Sequence, residues 1–222
     1  MNQVLAQAIS AAVARVGATS ASLTSASRSY ALYEGFVFAC VVEALGRRGA
    51  QFEVHDRSDN PVTRLVFRAK RGRIYPPNVP YTFVLVRRGT REYELHTDLQ
   101  VEGRSKVLHE LDVTLLDRDE AIRCRQAGVS PRHGKVVLLA ECKFYGRSLP
   151  LEIGREFLGL SSEFTVRVKT IVSNVRSDSV GKMIASHKGT ANFDISPMDP
   201  ALVEQLIGWL ATELQQAFRE GS

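Results

Sequence analysis

The 222-residue sequence predicts an α/β protein: a mixed β-sheet core flanked by helices. Three observations carry that prediction. Helical and strand periodicities follow one another in the order helix, several strands, helix, strand, helix, as in a sheet with a parallel portion. The 44% hydrophobic content is enough to enclose one sizeable core. No stretch approaches the ~18 unbroken apolar residues of a membrane span, and no segment repeats.

Leu5, Ile9, Val13 and Val16 recur at helical spacing, and the small polar run GATSASLTSAS (17–27) then loses all periodicity. Residues 1–28 therefore read as an N-terminal helix on a flexible connector, and 29–222 as the main domain. In the latter, Leu32, Phe36, Ala39, Cys40 and Leu45 mark a helix from Tyr30 to Arg47, stopped by GRRG. A strand at 51–56 follows. The stretch RAKRGRIYPPNVP opens a basic insertion at about 57–100, whose later part, YTFVLVRR and REYELHTDLQV, has strand character. Strands are also expected at KVLHELDVTLLD, 136–145, VRVKTIVSNV and ANFDI. Helices are expected at 149–162, 178–188 and 200–218, the last with Val203, Leu206, Ile207, Leu210 and Leu214 as its apolar stripe.

Twenty-nine basic against 24 acidic residues leave a formal charge of +5, which permits a polyanionic partner without requiring one. Cys40, Cys124 and Cys142 are far apart and lack zinc spacing, so Cys40 and Cys142 read as small core residues. There is no glycine-rich nucleotide loop and no serine–histidine arrangement of nucleophile spacing. The N-terminus lacks the basic head and apolar block of a secretory signal, and the expected location is cytoplasmic, with no membrane partner.

The run VVLLAECKF (136–144) carries the chemistry. Side chains on a strand alternate, so Val136, Leu138, Ala140, Cys142 and Phe144 line one side, and Glu141 and Lys143 emerge together on the other. In HELDVTLLD (109–117), Leu111, Val113 and Leu115 leave Glu110, Asp112 and Thr114 opposite. Antiparallel pairing with Asp117 against Val136 sets Asp112 against Glu141. Carboxylates forced together call for a hard divalent cation with oxygen ligands. A neighbouring lysine can orient or deprotonate a water, or stabilise charge on a phosphorane.

An aspartate, then Glu-x-Lys on an apolar strand about thirty residues later, then a helix, resembles the PD-(D/E)xK phosphodiesterase superfamily, which has the restriction-endonuclease-like fold. The matching residues are Asp112 and Glu141-Cys142-Lys143, with Leu111 where a proline is common. The resemblance spans about Tyr30 to Val175. It implies a Mg²⁺-dependent nuclease, with Mn²⁺ as a substitute, in which Asp112, Glu141 and Lys143 are catalytic. Asp112 and Glu141 would hold the metal, joined by a glutamate of the preceding helix. Glu34 is preferred to Glu43 for that place because of the Y-E-x-x-V-F pattern around it. Related enzymes often turn a polar residue of the following helix toward the site, a place open to Glu152 or Glu156, which read first as solvated helix glutamates.

The implied partner is nucleic acid, double-stranded DNA above all, in defence against foreign DNA or in DNA repair. A homodimer and a separate recognition or activating subunit stay open. Residues 118–135 read as a long loop whose Arg118, Arg123, Arg125, Arg132 and Lys135 would hold a phosphate backbone. Arg64, Arg68, Lys70, Arg71 and Arg73 form a second basic cluster, with Arg71 taken as a nucleic-acid contact. The alternative is a catalytically inactive nucleic-acid-binding or assembly module of the same fold.

Overall fold

The computed structural model describes residues 1–68, 72–75 and 79–220. Its centre is a seven-stranded mixed sheet in the order β2-β4-β5-β6-β7-β8-β9. The strands are β2 (Gln51–Asp56), β4 (Thr82–Arg88), β5 (Arg91–Glu102), β6 (Leu108–Asp117), β7 (Val136–Lys143), β8 (Val168–Ser173) and β9 (Thr190–Asn192). Neighbours from β2 to β7 are antiparallel, whereas β7, β8 and β9 run parallel. The parallel steps need crossovers, supplied by α4 (Leu151–Ser162) and α5 (Asp178–Ser186). A two-residue strand β1 (Ser20–Ala21) pairs with β3 (Arg64–Leu65) outside the main sheet.

Each face of the sheet is covered. On one side α1 (Asn2–Arg15), α2 (Ser29–Gly46) and α6 (Pro200–Glu220) pack over Val84, Leu95, Val113, Leu138 and Ala140. On the other, α3 (Arg118–Ala127), α4 and α5 enclose Phe83, Leu99, Leu111, Leu139 and Ile171. Helix α2 is long and apolar enough to cross a membrane by length and composition, but here it is the central core helix, with Leu32, Val37, Val41, Val42 and Leu45 fully buried.

Four expectations change. Helix α1 is no attachment: Leu5, Ile9, Val13 and Val16 join the same core as α2, and β1 fastens the connector. The proposed insertion at 57–100 contains β4 and β5, inner strands of the sheet, and its first half adds Leu65, Phe67 and Ile74 to the two cores. The loop expected at 118–135 begins with α3. Asp117 Oδ1 caps it by accepting from the Glu120 N–H at 3.1 Å, and Gly128, at φ 66°, closes it in the left-handed conformation that favours glycine. Finally, Val136 faces Leu116 rather than Asp117, because a bulge at Leu115/Leu116 leaves Val137 without a ladder partner. The bulge also turns Val136 into the core opposite the one lined by Leu138, Ala140 and Cys142.

The apolar stripe of α6 is occupied inside the protomer. Leu206, Ile207, Leu210 and Leu214 of α6 pack over α2 in the common core.

Candidate metal centre

Beyond the bulge the expected register of β6 against β7 holds, but Leu111, expected on one face with Val113 and Leu115, lies in the opposite core. Val113 faces Ala140 and Thr114 faces Leu139, so Asp112 stands one step further on, beside Glu141. The Asp112 carboxylate reaches across the two strands, its Oδ2 accepting the backbone N–H of Cys142 at 2.7 Å. It is thereby fixed against the middle residue of Glu141-Cys142-Lys143.

Helix α2 brings Glu34 to the same place. Glu43, nine residues on, points elsewhere and clamps Arg15 at 3.0 Å and Arg47 at 3.1 Å. The half-turn phase difference between the two glutamates separates their roles. A third carboxylate joins Glu34 and Asp112: Asp98 of β5. One oxygen from each of Glu34, Asp98 and Asp112 lies within 4.8 Å of the other two, and all three residues are half-buried. Asp98 had no motif to announce it. Its only signal was an aspartate within a strand rich in β-formers, where that residue type is disfavoured.

Glu141 flanks this cluster. Its Oε1 pairs with the Lys143 ammonium at 2.6 Å, and its Oε2 is buried without a hydrogen-bond partner among the described residues. Leaving a carboxylate oxygen buried and unpaired is costly unless a donor or cation meets it.

The electrostatics agree with the geometry. Burial, followed by the charges of Asp98, Asp112, Glu110 and Glu141, pushes Glu34 up to about 9. Burial and Glu110 push Asp98 up to about 7, against the pull of Arg68. Asp112 rises well above the carboxylate range through burial and Glu141, with Lys143 and the Cys142 N–H opposing. Burial would lower Lys143, but Glu141 and Asp112 outweigh it and hold the ammonium form. An oxygen-only donor set that resists ionisation until positive charge arrives fits a hard divalent cation such as Mg²⁺ or Mn²⁺.

The expected basic contacts separate into distinct groups. Arg118 and Arg125 turn inward and are corrected as surface phosphate contacts. Arg118 bonds Glu94 and Asp59, and Arg125 grips both oxygens of Glu94 at 2.7 and 2.5 Å. Glu94 is fully buried. Burial alone would raise it, yet Arg125 and the His96 ring, 2.9 Å away, hold it down at about 2. His96 is itself lowered to about 4 by burial, so it is neutral, with Nε2–H donating to Glu94.

Arg123 pairs bidentately with Glu120, and Arg132 donates its backbone N–H to the same carboxylate, although both side chains stay accessible. Lys135 approaches Asp117 at 4.0 Å. Arg71 and Lys70 lie outside the described residues, and Arg73 donates to the Tyr75 hydroxyl at 2.7 Å. Glu152 and Glu156 are exposed on α4, as expected.

Comparison of the chain with protein-family models, with curated proteins and with solved structures finds no match.

Proposed function

We propose that this protein is a divalent-metal-dependent nuclease of the PD-(D/E)xK type that hydrolyses phosphodiester bonds of DNA. The observation that carries the reading is the meeting of Asp112 with Glu141-Cys142-Lys143 across β6 and β7, with Glu34 arriving from α2. The mixed sheet between two helical layers supports a restriction-endonuclease-like core, with β6 and β7 as its catalytic strands.

Glu34, Asp98 and Asp112 would hold Mg²⁺ or Mn²⁺, with the free oxygen of Glu141 available beside them. Such an ion supplies charge neutralisation at the phosphate and lowers the pKa of a bound water. The Cys142 N–H orients Asp112, so its carboxylate need not reorganise when the ion arrives. Lys143, held as an ammonium, donates hydrogen bonds to the attacking water or to a phosphate oxygen and balances charge on the phosphorane. Accessible Arg123, Arg132 and Lys135 remain as backbone contacts that position nucleic acid without reading its sequence. Defence against foreign DNA and DNA repair are the settings this chemistry serves.

The test is cleavage of supercoiled plasmid, linear duplex and single-stranded DNA with Mg²⁺, with Mn²⁺ and with EDTA. Wild type is compared with Asp112→Asn and Lys143→Ala. Metal-dependent cutting lost in both folded variants supports the nuclease. A wild type that binds DNA and cuts none of these substrates points to the binding module instead.

A further inference from the structure

Asp98 reaches the cluster through an irregularity in β5. On a regular strand Leu95 and Leu99 would share a face, yet Leu95 lies in the core under α2 and Leu99 in the core under α4. The reversal occurs at Asp98, which has φ 49°, a left-handed conformation uncommon for non-glycine residues that aspartate enters more readily than most. The β5–β6 ladder pairs Thr97 with Val113 and Leu99 with Leu111, stepping over Asp98 and Asp112. The two carboxylates are freed from the ladder at one place, where they meet Glu34.

Two contacts impose that turn. The Asp98 carbonyl accepts the Gly72 N–H at 2.9 Å, while Gln100 returns a hydrogen bond to the Gly72 carbonyl. On the other side, Arg68 Nη1 donates to the Thr97 carbonyl at 2.8 Å. Arg68 is 5% exposed and lies flat on Tyr81, 3.6 Å from the ring centre. Its Nε and Nη2 are buried without partners among the described residues. A buried guanidinium with unpaired donors is a poor stabiliser, and an apolar side chain would fill the same space at lower cost. Tethering the Thr97 carbonyl is a role that an apolar replacement cannot fill.

We propose that Arg68 is a positioning residue of the metal centre: its hydrogen bond to Thr97 holds the left-handed turn that delivers the Asp98 carboxylate to Glu34 and Asp112. This rests on the cluster being a cation site. Asp98 then acts as a working ligand, and Arg68 and Gly72 support it from behind.

The experiment is calorimetric titration of the full chain with Mn²⁺ at neutral pH, alongside thermal unfolding. The variants are Arg68→Met, Arg68→Lys, Asp98→Asn, both Arg68 substitutions in the Asp98→Asn background, and Asp112→Asn. Arg68→Met is expected to weaken Mn²⁺ binding about tenfold or more while unfolding cooperatively. Arg68→Lys, whose ammonium can still reach the carbonyl, recovers part of the loss. In the Asp98→Asn background neither substitution weakens binding further. Should Arg68→Met fail to fold, Arg68→Lys completes the same cycle. Wild-type affinity in the folded Arg68 variants, or an equal loss with and without Asp98, overturns the proposal. Wild-type affinity in Asp112→Asn instead refutes the cation site itself, and the role of Arg68 falls with it.

Discussion

Asp112 Oδ2 accepts the backbone N–H of Cys142 at 2.7 Å, so a carboxylate from one strand is fastened between Glu141 and Lys143 of the next. A bond to a backbone amide is indifferent to the side chain at 142. It depends only on strand register, which the pairing of Val113 with Ala140 sets.

Removing this carboxylate separates chemistry from folding. Asp112→Asn keeps an acceptor oxygen for Cys142 but loses the charge, and metal-dependent DNA cleavage is expected to fall on the order of a hundredfold or more. Because burial and Glu141 raise Asp112, the neutral amide leaves metal-free stability at pH 8 equal or higher. Plasmid-nicking rates and thermal melts in EDTA check both halves.

The cluster also makes stability depend on pH and metal together. Glu34 and Asp98 are raised to about 9 and about 7, above their unfolded values near 4. Between those limits the folded chain binds more protons than the unfolded one, so stability is complete below the unfolded values and declines as pH rises. In EDTA the melting temperature is therefore expected to fall from pH 5 to pH 9. A cation at a hundred times its dissociation constant adds about 2.7 kcal/mol, or roughly 5–10 °C, with the larger gain at pH 8.5 than at pH 5.5. A melting temperature in EDTA that climbs across this range contradicts the raised acids.

Held as an ammonium, Lys143 is expected to act as a cation rather than a base. Glu141 and Asp112 hold its ammonium form beyond the ordinary lysine range. Cleavage rates between pH 7 and 9.5 should show no step from its deprotonation. Lys143→Met should lose about a hundredfold in rate, and Lys143→Arg, which keeps the charge but changes the donor geometry, should fall between. A rate step that vanishes in Lys143→Arg would instead assign the lysine as a base.

Glu94 belongs to stability. Glu94→Gln removes the charge that Arg125 grips, leaves buried Arg118 with Asp59 as its remaining close carboxylate, and is expected to cost about 3–5 kcal/mol, a melting shift near 10 °C. Arg118→Ala and Arg125→Ala should act in the same direction. Arg123→Ala removes a half-exposed side chain from buried Glu120, which Arg132 still bonds, and should cost less than Glu94→Gln. Held at about 2, below its unfolded value near 4.5, Glu94 contributes stability that is present above pH 4.5 and lost as pH falls towards 2. Wild type should lose more stability over that acid interval than Glu94→Gln does.

Much of this was legible in the residues themselves. Hydrophobic alternation located β6 and β7, helical spacing located α2, α4 and α6, and the phase between Glu34 and Glu43 required that only one meet the sheet. These are local periodicities, each set by a few consecutive residues. Helix α3 escaped because its buried apolar residues are just Ala121 and Cys124, too few to mark a stripe; its caps, Asp117 and Gly128, were the readable sign.

Long-range placement was beyond that reach. Whether an arginine points to solvent or to a buried glutamate depends on what packs against it from distant sequence, and Arg118 and Arg125 carry no mark of Glu94. Asp98 enters the cluster through a left-handed turn tethered by Arg68, thirty positions earlier, and by Gly72. Periodicity names the face of a strand for regular backbone only. Reversals at Asp98 in β5 and at Asp112 in β6, where the ladder steps over both residues, exchange the faces beyond them, and there the third carboxylate joins Glu34 and Asp112.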